Sequence, residues 1–411
     1  MSETIVLQNI EENAIITTFN ITANGSTGIT LKNLDGMTKI DWGDGTVNTE
    51  LNHTYENFGE YICKIYDVTS IGSSAFSDSG CHNLKEIVIP DNVTSIGDSA
   101  FAYCSNLTSV DIGGGVMSIG SEAFCWCDSL TNAVIGNSVT SIGHNAFTYC
   151  RSLTSVVIPD SVTSIDYCAF KGCGGLTSIT IPGGVTNIGI ETFSSCSNLT
   201  SVTIGDGVPS IVHRMFAKCS SLTSIKLPNS VTSIEREAFL DCSSLAGVDI
   251  GDSVTSISYD AFQGCSSLKS IVIPDSTTSI CEGAFNGCSS LSSVTFKNKT
   301  PISATMLTDT AINTTTTIFY VPVDSVEAYQ TAWAGVVLAT QIQVELQVDL
   351  NERLVTLGSL KEYHKNLKEY IQQYIRDNFA ALMAEYLNSA EAAENKPTAT
   401  EISSVFEEEE A

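Results

Sequence analysis

A 23-residue interval runs through more than half of the chain. Phe101 recurs at this interval as far as Phe285, and Phe76 precedes it after a two-residue insertion. An Ile lies five residues before each of these Phe residues, and a Leu lies six residues after each one from Phe101 onward. A unit this short cannot bury its apolar side alone, so neighbouring units have to stack into one continuous core. The interval therefore predicts a solenoid in which each repeat forms one coil.

Each unit contains two short segments with the pattern of β-strands. In the unit from Leu153 to Cys173, the residues Leu153, Val156 and Ile158 have the spacing L-x-x-L-x-L, and residues 162–165 form a second extended run. Thr and Ser fill the outward positions, where small or β-branched side chains suit a tightly stacked sheet. The expected fold is mainly β, with a solenoid of about ten coils.

Cysteine follows the same interval. Nine of the fourteen cysteines are spaced 23 residues apart, from Cys104 to Cys288. Zinc sites use close pairs such as C-x-x-C, and the nearest pair here, Cys125 and Cys127, has the wrong spacing and no His beside it. We therefore expect a column of buried thiols that fills space between coils, with no metal site and no cofactor. Redox chemistry is the alternative reading of this column.

These residues resemble the BspA-like leucine-rich repeats of bacterial and protozoan surface proteins and of some bacteriophage proteins. The motif L-x-x-[IV]-x-[IL]-P-x-x-V-T-S-I-G-x-x-A-F-x-x-C is matched almost column for column over residues 68–296. The resemblance implies a leucine-rich-repeat solenoid that acts in binding or adhesion, and it carries over no catalytic residues.

Residues 1–67 resemble a small PKD-like β-domain. The resemblance rests on the segment DWGDGT at residues 41–46, followed by HTY at 53–55 and GEY at 59–61. Asp44 and Gly45 favour a tight hairpin turn. A calcium site on Asp41 and Asp44 is the alternative, but two carboxylates fall short of the six to eight oxygen ligands that calcium takes. A β-sandwich-like domain here would also cover the first coil of the solenoid.

The period ends after Phe296, and residues 297–343 are expected to form the C-terminal cap of the array. A Y-V-P segment there leads into a short helix on which Val326, Tyr329 and Trp333 share one face. That face is expected to pack over the last coil, whose apolar edge would otherwise be exposed.

Residues 344–390 have a roughly heptad apolar pattern and are predicted to form an amphipathic, coiled-coil-like helix for oligomerisation or anchoring. Its amino-acid sequence loosely resembles attachment segments of gut-phage structural proteins. Its partner is expected to be a second copy of the chain, for example in a trimer, or a groove on another virion protein; the alternative is that the helix packs on the chain's own solenoid. Residues 391–411 form an acidic tail. The apolar residues that we select for this contact are Leu360, Leu367, Ile371, Tyr374, Phe379 and Leu382.

Composition and motifs exclude several classes of function. The chain has 19 Lys and Arg against 46 Asp and Glu, a net charge of −27, so a nucleic-acid partner is not expected. No run approaches the roughly 18 apolar residues of a membrane span, and the first residues show no secretory signal, so membrane insertion and export by that route are not expected. Phosphate-binding loops and G-x-S-x-G elbows do not occur, and we expect no enzyme.

The positions that vary between coils are the candidate binding surfaces, because solenoids bind through exposed columns. Tyr103, Trp126 and Tyr149 precede the cysteine on three consecutive coils and are expected to form a recognition platform for a glycan or a protein. The alternative is that these rings pack beneath the N-terminal domain or cover the coil edge. A second column is expected to be exposed on the strands: Val134, Val157, Thr180, Thr203 and Lys226.

Two functions fit these features. The leading hypothesis is a phage virion protein, namely a fibre, tail or head-surface component that attaches to a host-cell protein or glycan. It rests on the absence of a visible signal or anchor and on the predicted C-terminal helix. The alternative is a BspA-like adhesin on the surface of a bacterium or protist.

Overall fold

The computed structural model describes residues 13–22, 28–77, 81–303, 316–334, 336–337 and 339–344. Eight strands precede the regular coils. Their bounds are β1 Ala14–Ile21, β2 Gly28–Thr30, β3 Leu34–Asp35, β4 Lys39–Asp41, β5 Val47–Asn48, β6 Asn52–Thr54, β7 Gly59–Tyr66 and β8 Ser70–Ile71.

Each repeat from the one with Phe101 to the one with Phe285 then contributes two strands, an odd-numbered and an even-numbered one, and β27 follows the last of these repeats. The odd-numbered strands are β9 Leu84–Ile89, β11 Ser109–Ile112, β13 Asn132–Val134, β15 Ser155–Val157, β17 Ser178–Ile181, β19 Ser201–Ile204, β21 Ser224–Lys226, β23 Gly247–Asp249, β25 Ser270–Ile273 and β27 Ser293–Phe296. The even-numbered strands are β10 Ser95–Ile96, β12 Ser118–Ile119, β14 Ser141–Ile142, β16 Ser164–Ile165, β18 Asn187–Ile188, β20 Ser210–Ile211, β22 Ser233–Ile234, β24 Ser256–Ile257 and β26 Ser279–Ile280.

The strands of successive coils pair in parallel and in register, one repeat apart, except at four places among the described strands: β15 and β17, β18 and β20, β19 and β21, and β23 and β25. Ser109 in β11, for example, pairs with Asn132 in β13, and Ile119 in β12 pairs with Ile142 in β14. The odd-numbered strands form one face, which we call the first sheet, and the even-numbered strands form the second sheet. We number the coils by their phenylalanine, from coil 1 with Phe76 to coil 10 with Phe285. The expected β solenoid is confirmed.

The phenylalanines form a stack along the solenoid axis. From Phe76 to Phe285, neighbouring rings lie 4.8 to 5.8 Å apart between centroids, with interplanar angles of 21° or less. All ten side chains are at most 2% exposed. Ring spacing therefore follows strand spacing, which is about 4.8 Å, and each ring contacts the ring of the coil above and below.

The N-terminal strands belong to the same two sheets as the coils. β1 pairs antiparallel with β7 on one side and with β9 of coil 2 on the other, and β3 pairs antiparallel with β8 in the second sheet. The backbone groups along the edge of β9 are thus satisfied by β1. The structure does not support the PKD-like resemblance as a separate sandwich, because hydrogen-bonded sheets cross the expected boundary at residues 67 and 68.

The turn at Asp41 to Thr46 connects two antiparallel strands, β4 and β5. The carboxylate of Asp41 accepts the Gly43 N–H at 3.0 Å, and that of Asp44 accepts the Thr46 N–H at 2.9 Å and contacts His53 Nε2 at 2.7 Å. Burial alone would raise the pKa of Asp44, but these hydrogen bonds hold it below its ordinary value. Both carboxylates therefore stabilise the turn, as the turn interpretation predicts.

Beyond the repeats, two more strands extend the first sheet. β28 (Ile318–Val321) pairs in parallel with β27, and β29 (Ile342–Val344) pairs in parallel with β28. Between them lies the helix α1 (Val326–Ala332). Short 3-10 turns occur at Cys81–Asn83, Val323–Ser325 and Ala339–Gln341.

Helix α1 covers the last coil with the face that its sequence indicates. Tyr329 and Trp333 are fully buried, and both rings contact Phe296. The Tyr329 hydroxyl donates to the Asn298 carbonyl at 3.1 Å, and Trp333 Nε1–H donates to the Ile302 carbonyl at 2.9 Å. Both polar groups of the cap are therefore satisfied inside the protein.

The predictions for the C-terminal helix and the acidic tail lie outside the described residues, apart from Val344. This includes all six positions selected for oligomerisation or anchoring, Leu360, Leu367, Ile371, Tyr374, Phe379 and Leu382.

Candidate functional site

The aromatic column follows a backbone position that is left-handed in coils 2 to 10. The residue before each ladder cysteine has a positive φ, with 63° at Tyr103, 62° at Trp126 and 58° at Tyr149. Its N–H donates to a carbonyl of the next coil, as from Trp126 to Thr148 at 2.8 Å. Glycine, which adopts this conformation without strain, occupies the position in coils 5, 9 and 10. A left-handed conformation costs other residues about 1–2 kcal/mol, so backbone geometry does not account for three aromatic residues here.

The structure brings Trp126 and Tyr149 together. Their ring centroids lie 4.4 Å apart with a 40° tilt, and both side chains are half-buried. The Tyr149 ring extends over Gly172 of the next coil, where a Cβ would come within 2.4 Å of the Tyr149 ring. Tyr103, one coil earlier, is 57% exposed. Two of the three rings are thus in contact with each other and the third is open to solvent, and the recognition platform stays a prediction.

Two residues that the sequence analysis missed complete this cluster. The guanidinium of Arg151 lies 4.6 Å from the Trp126 ring centroid and 5.2 Å from that of Tyr149. Arg151 also forms an ion pair with Asp128 at 2.8 Å. Asp128 and Arg151 are 23 residues apart, so the repeat itself places them in one column on adjacent coils. Two opposite charges one repeat apart were therefore the signal in the sequence that could have indicated this ion pair. We call these four residues, together with Tyr103, the aromatic cluster.

The strand column is also exposed, as expected, and its members lie in register. Val134 pairs with Val157, and Thr180 pairs with Thr203, while Val157 is 76% exposed. Lys226 forms an ion pair at 3.2 Å with Asp249 of the next coil. The first sheet is not continuous along the column, because β15 does not pair with β17, nor β19 with β21, among the described strands.

An open groove of about 910 Å³ lies where β19 and β21 separate. Thr203, Lys226 and Asp249 contribute strand side chains to it, and Asp206 and Asp252 contribute turn side chains. Its polar lining is drawn from three coils. No pattern in the sequence indicates this groove.

A second stripe of exposed side chains lies three residues before the ladder phenylalanines. His144 stacks on Tyr167 of the next coil with ring centroids 3.5 Å apart, and its Nδ1 contacts the Tyr167 carbonyl at 3.1 Å. Tyr167 is 42% exposed and Ile190, one coil further, is 45% exposed. The variation of this column between repeats was the signal that the sequence offered.

Ion pairs join coils on the same side of the solenoid. Glu191 binds Lys171 and lies 3.8 Å from Arg214, and Glu237 binds Arg214 and lies 2.9 Å from Arg236. The bond to Glu191 raises the pKa of Lys171. Burial acts to raise the pKa of Glu237, but the Arg214 guanidinium holds it below its ordinary value. These charges therefore neutralise one another, between coils in the pairs of Glu191 with Lys171 and Arg214 and of Glu237 with Arg214, and within one coil in the pair of Glu237 with Arg236.

The cysteine column is buried and hydrogen-bonded. Each ladder thiol donates to a phenylalanine carbonyl in the neighbouring coil, at 3.0 to 3.4 Å, from Cys104 to Cys288. Burial raises the pKa of Cys196, Cys242 and Cys288 to about 12. A nucleophilic or metal-binding thiol needs to ionise near neutral pH, so this column is suited to packing rather than chemistry.

Within the described ranges, no three His, Cys, Asp or Glu side chains are grouped so that they could hold a metal ion. The helix present in that part of the chain is too short to cross a membrane, and no longer apolar one was found there.

Comparisons with known proteins identify the repeats. The family model described as a BspA type leucine-rich repeat region matches residues 57–177, 117–226 and 209–329, in six copies. Together these segments span about two thirds of the chain. The chain belongs to this family. The BspA-type repeats thus include the last coil and the beginning of the cap.

Solved structures of other leucine-rich repeat proteins are similar to this BspA-type chain. A leucine-rich repeat protein from Bacteroides ovatus is 26% identical, with a TM-score of 0.51, over 71% of this chain and 70% of that one. A leucine-rich cell surface protein from Faecalibacterium prausnitzii is 29% identical over 74% of this chain and 93% of that one, with a TM-score of 0.36. The pneumococcal vaccine antigen PcpA is 20% identical over 68% and 85%, with a TM-score of 0.39. A search of curated proteins found no match.

Proposed function

We propose that this chain is a non-enzymatic, BspA-type binding protein that acts in adhesion at a cell surface. The observation that carries the proposal is the aromatic cluster, which combines Tyr103, Trp126 and Tyr149 with the Arg151–Asp128 pair on a rigid array. Trp, Tyr and Arg are the residue types most enriched among those that dominate the binding energy at protein interfaces. The ligand is a glycan or protein of a neighbouring or host cell.

The chemistry of the cluster supports a recognition role. Tyr103 offers an exposed ring, and the planar groups of Arg151 and Asp128 offer several hydrogen-bond donors and acceptors. The cluster lies on coils joined by continuous backbone hydrogen bonds, so its side chains are held in place before a ligand arrives. Such preorganisation lowers the entropy cost of binding.

Replacing Tyr103, Trp126 and Tyr149 together by Ser is expected to abolish binding. The measurement is binding of the labelled protein to a printed glycan array and to cultured epithelial cells, with folding checked by circular dichroism. The matched control is the double variant Tyr167→Ser and Tyr259→Ser, which removes two exposed rings outside the cluster. The control should bind like the unaltered protein. Undiminished binding by the triple variant would contradict the role of the cluster.

The surface location is tested separately from the binding site. Envelope fractions of the source cells and particles from the same culture are separated on a density gradient, and the chain is detected by peptide mass spectrometry. We expect it with washed envelopes. Banding at a fixed copy number with phage-sized particles would instead support the virion hypothesis, whose proposed contact residues all lie beyond residue 344.

A further inference from the structure

Between coils 5 and 8 the first and second sheets are interrupted in alternation. Coil 6 contains β17 and β18, and coil 7 contains β19 and β20. Between these two coils only the first sheet continues, because β17 pairs with β19 but β18 does not pair with β20. On either side the second sheet continues instead, with β16 paired to β18 and β20 paired to β22. Three successive junctions are therefore each held by a single sheet. The junction of coils 9 and 10 also lacks a pairing in the first sheet, between β23 and β25, but among the described coils the second sheet is interrupted once, between β18 and β20.

Pro209 explains the gap in the second sheet. Other coils have Thr or Met at this position, and its N–H donates to the previous coil, as from Thr186 to the Thr163 carbonyl at 3.1 Å. Pro209 has no N–H to donate to Thr186. On its other side the pattern resumes, because Thr232 donates to the Pro209 carbonyl at 2.9 Å.

A second ladder position is also lost at this junction. In neighbouring coils, the N–H after the second strand donates to the preceding coil, from Gly189 to Ile165 and from Glu235 to Ile211, both at 2.8 Å. Val212 occupies this position in coil 7, and in the described part of the chain it has no such bond to Ile188. The gap therefore extends along the whole second strand.

Pro228 marks the gap in the first sheet at the following junction. Gly205, at the equivalent position one coil earlier, donates its N–H to the Ile181 carbonyl at 2.9 Å. Pro228 cannot donate in the same way to Ile204. This is where β19 and β21 separate and the groove opens. The two prolines thus interrupt opposite sheets on the two sides of coil 7.

The side of the solenoid that carries the phenylalanines belongs to neither sheet, and its backbone hydrogen bonds remain continuous across the same coils. Phe193 donates its N–H to the Met215 carbonyl at 3.0 Å, and Phe216 donates to the Ala238 carbonyl at 2.9 Å. The stacked rings also continue, but the centroids of Phe193 and Phe216 lie 5.8 Å apart, the widest spacing in the stack. We call this continuous side, with its stacked phenylalanine rings, the spine. Beside the spine, the second sheet lacks a strand pairing at one junction and the first sheet lacks one at the next.

We infer that coils 6 and 7 form a joint at which the array flexes between two stiffer halves. Bending about the spine changes the spacing of β18 and β20 and of β19 and β21 without breaking a sheet hydrogen bond at either gap. The aromatic cluster lies on the N-terminal half and the cap on the C-terminal half. A joint between them allows an array attached to a surface to bend at one place, while each half keeps its shape.

Hydrogen exchange of the full chain, followed by mass spectrometry, tests the joint. The informative amides are bonded ones, because an unbonded amide exchanges quickly in any case. Thr200 donates to the Thr177 carbonyl across the coil 6–7 junction, and Thr131 donates to Thr108 two coils from the first gap, both at 2.9 Å. We expect Thr200 to exchange at least about tenfold faster than Thr131, because opening at the joint is easier. Equal rates would overturn the inference.

A variant that restores the ladder gives an independent readout. Pro209→Thr supplies the missing N–H and hydroxyl and is expected to slow exchange at Thr200 toward the rate of Thr131. The matched control is Pro159→Gly, since β15 already pairs with β13 despite Pro159, and it should leave both rates unchanged. An equal effect of the two variants would show that the gap at Pro209 has no special role. If Pro209→Thr does not fold, the comparison within the unaltered protein still decides.

Discussion

Phe147→Ala is expected to lower the free energy of unfolding by about 3–5 kcal/mol, the usual cost of deleting a buried aromatic ring. Phe147 is fully buried and lies between the rings of Phe124 at 5.1 Å and Phe170 at 5.3 Å, almost parallel to both. Removing it leaves each of these two rings with one stacking partner instead of two and opens a cavity on the solenoid axis. The backbone hydrogen bonds to both neighbouring coils prevent the gap from closing by collapse.

Guanidinium denaturation followed by far-ultraviolet circular dichroism measures this loss. Phe58→Ala is the matched control, because it deletes the same ring from a side chain that is 65% exposed, and it should shift the midpoint little. A loss below about 1 kcal/mol for Phe147→Ala would indicate that the stack fills space without stabilising the array, contrary to the packing argument.

The regular part of the fold could be predicted because one pattern is repeated ten times. The Phe and Cys columns, the in-register strands and the buried face of Tyr329 and Trp333 all follow from spacing alone. The N-terminal strands could not be predicted in the same way. The pairing of β1 with β9 joins residues about 70 positions apart, and no local pattern in β1 specifies that partner. A local motif at Asp44 suggested a separate domain where the chain extends the sheets of the solenoid.

The candidate site was predicted in part, for a related reason. Composition of a column indicates exposure, so Tyr103, Trp126 and Tyr149 could be selected. Contacts between coils depend on the direction in which each side chain points. The sequence does not indicate that the Tyr149 ring extends over Gly172 or that Arg151 reaches Trp126. The glycines in this column indicate a left-handed backbone. Bulky residues at the same position in other coils made that indication hard to recognise in the sequence.

Discontinuities were the hardest feature to predict. A repeat pattern draws attention to what is shared, whereas the gap at Pro209 arises from a single departure. Pro159 shows why such a departure is ambiguous in the sequence, since the strand before it stays paired. Whether a missing N–H opens a sheet depends on the bonds that remain at that junction, and those become visible only in three dimensions.

Raising the pH above about 9 is expected to unfold the array through its buried thiols. Burial raises the pKa of Cys196, Cys242 and Cys288 from an ordinary value of 9.0 to about 12, and raises it well above 9.0 in four more of the column: Cys150, Cys173, Cys219 and Cys265. The unfolded chain loses these protons first. Stability is therefore fully present below pH 9 and is lost as the pH rises toward the folded values.

The slope of this loss is large because the thiols act together. Each one contributes up to about 1.4 kcal/mol per pH unit, so seven contribute up to about 10 kcal/mol per unit. A typical folded protein has only about 5–15 kcal/mol to lose. We expect the denaturation midpoint to fall steeply between pH 9 and 11, because in this range the thiols ionise in the unfolded chain but not in the folded one.

Substituting serine at three ladder positions separates the thiols from other alkaline titrations. In Cys150→Ser, Cys173→Ser, Cys219→Ser, each hydroxyl can still donate to the phenylalanine carbonyl, but it does not ionise in this range. The triple variant should lose stability with pH less steeply than the unaltered chain, by about 4 kcal/mol per unit. Cys168→Ser, at a half-exposed thiol outside the column, is the control and should keep most of the slope. Identical slopes for all three proteins would mean that tyrosine and lysine titration, and not the cysteine column, sets the alkaline limit.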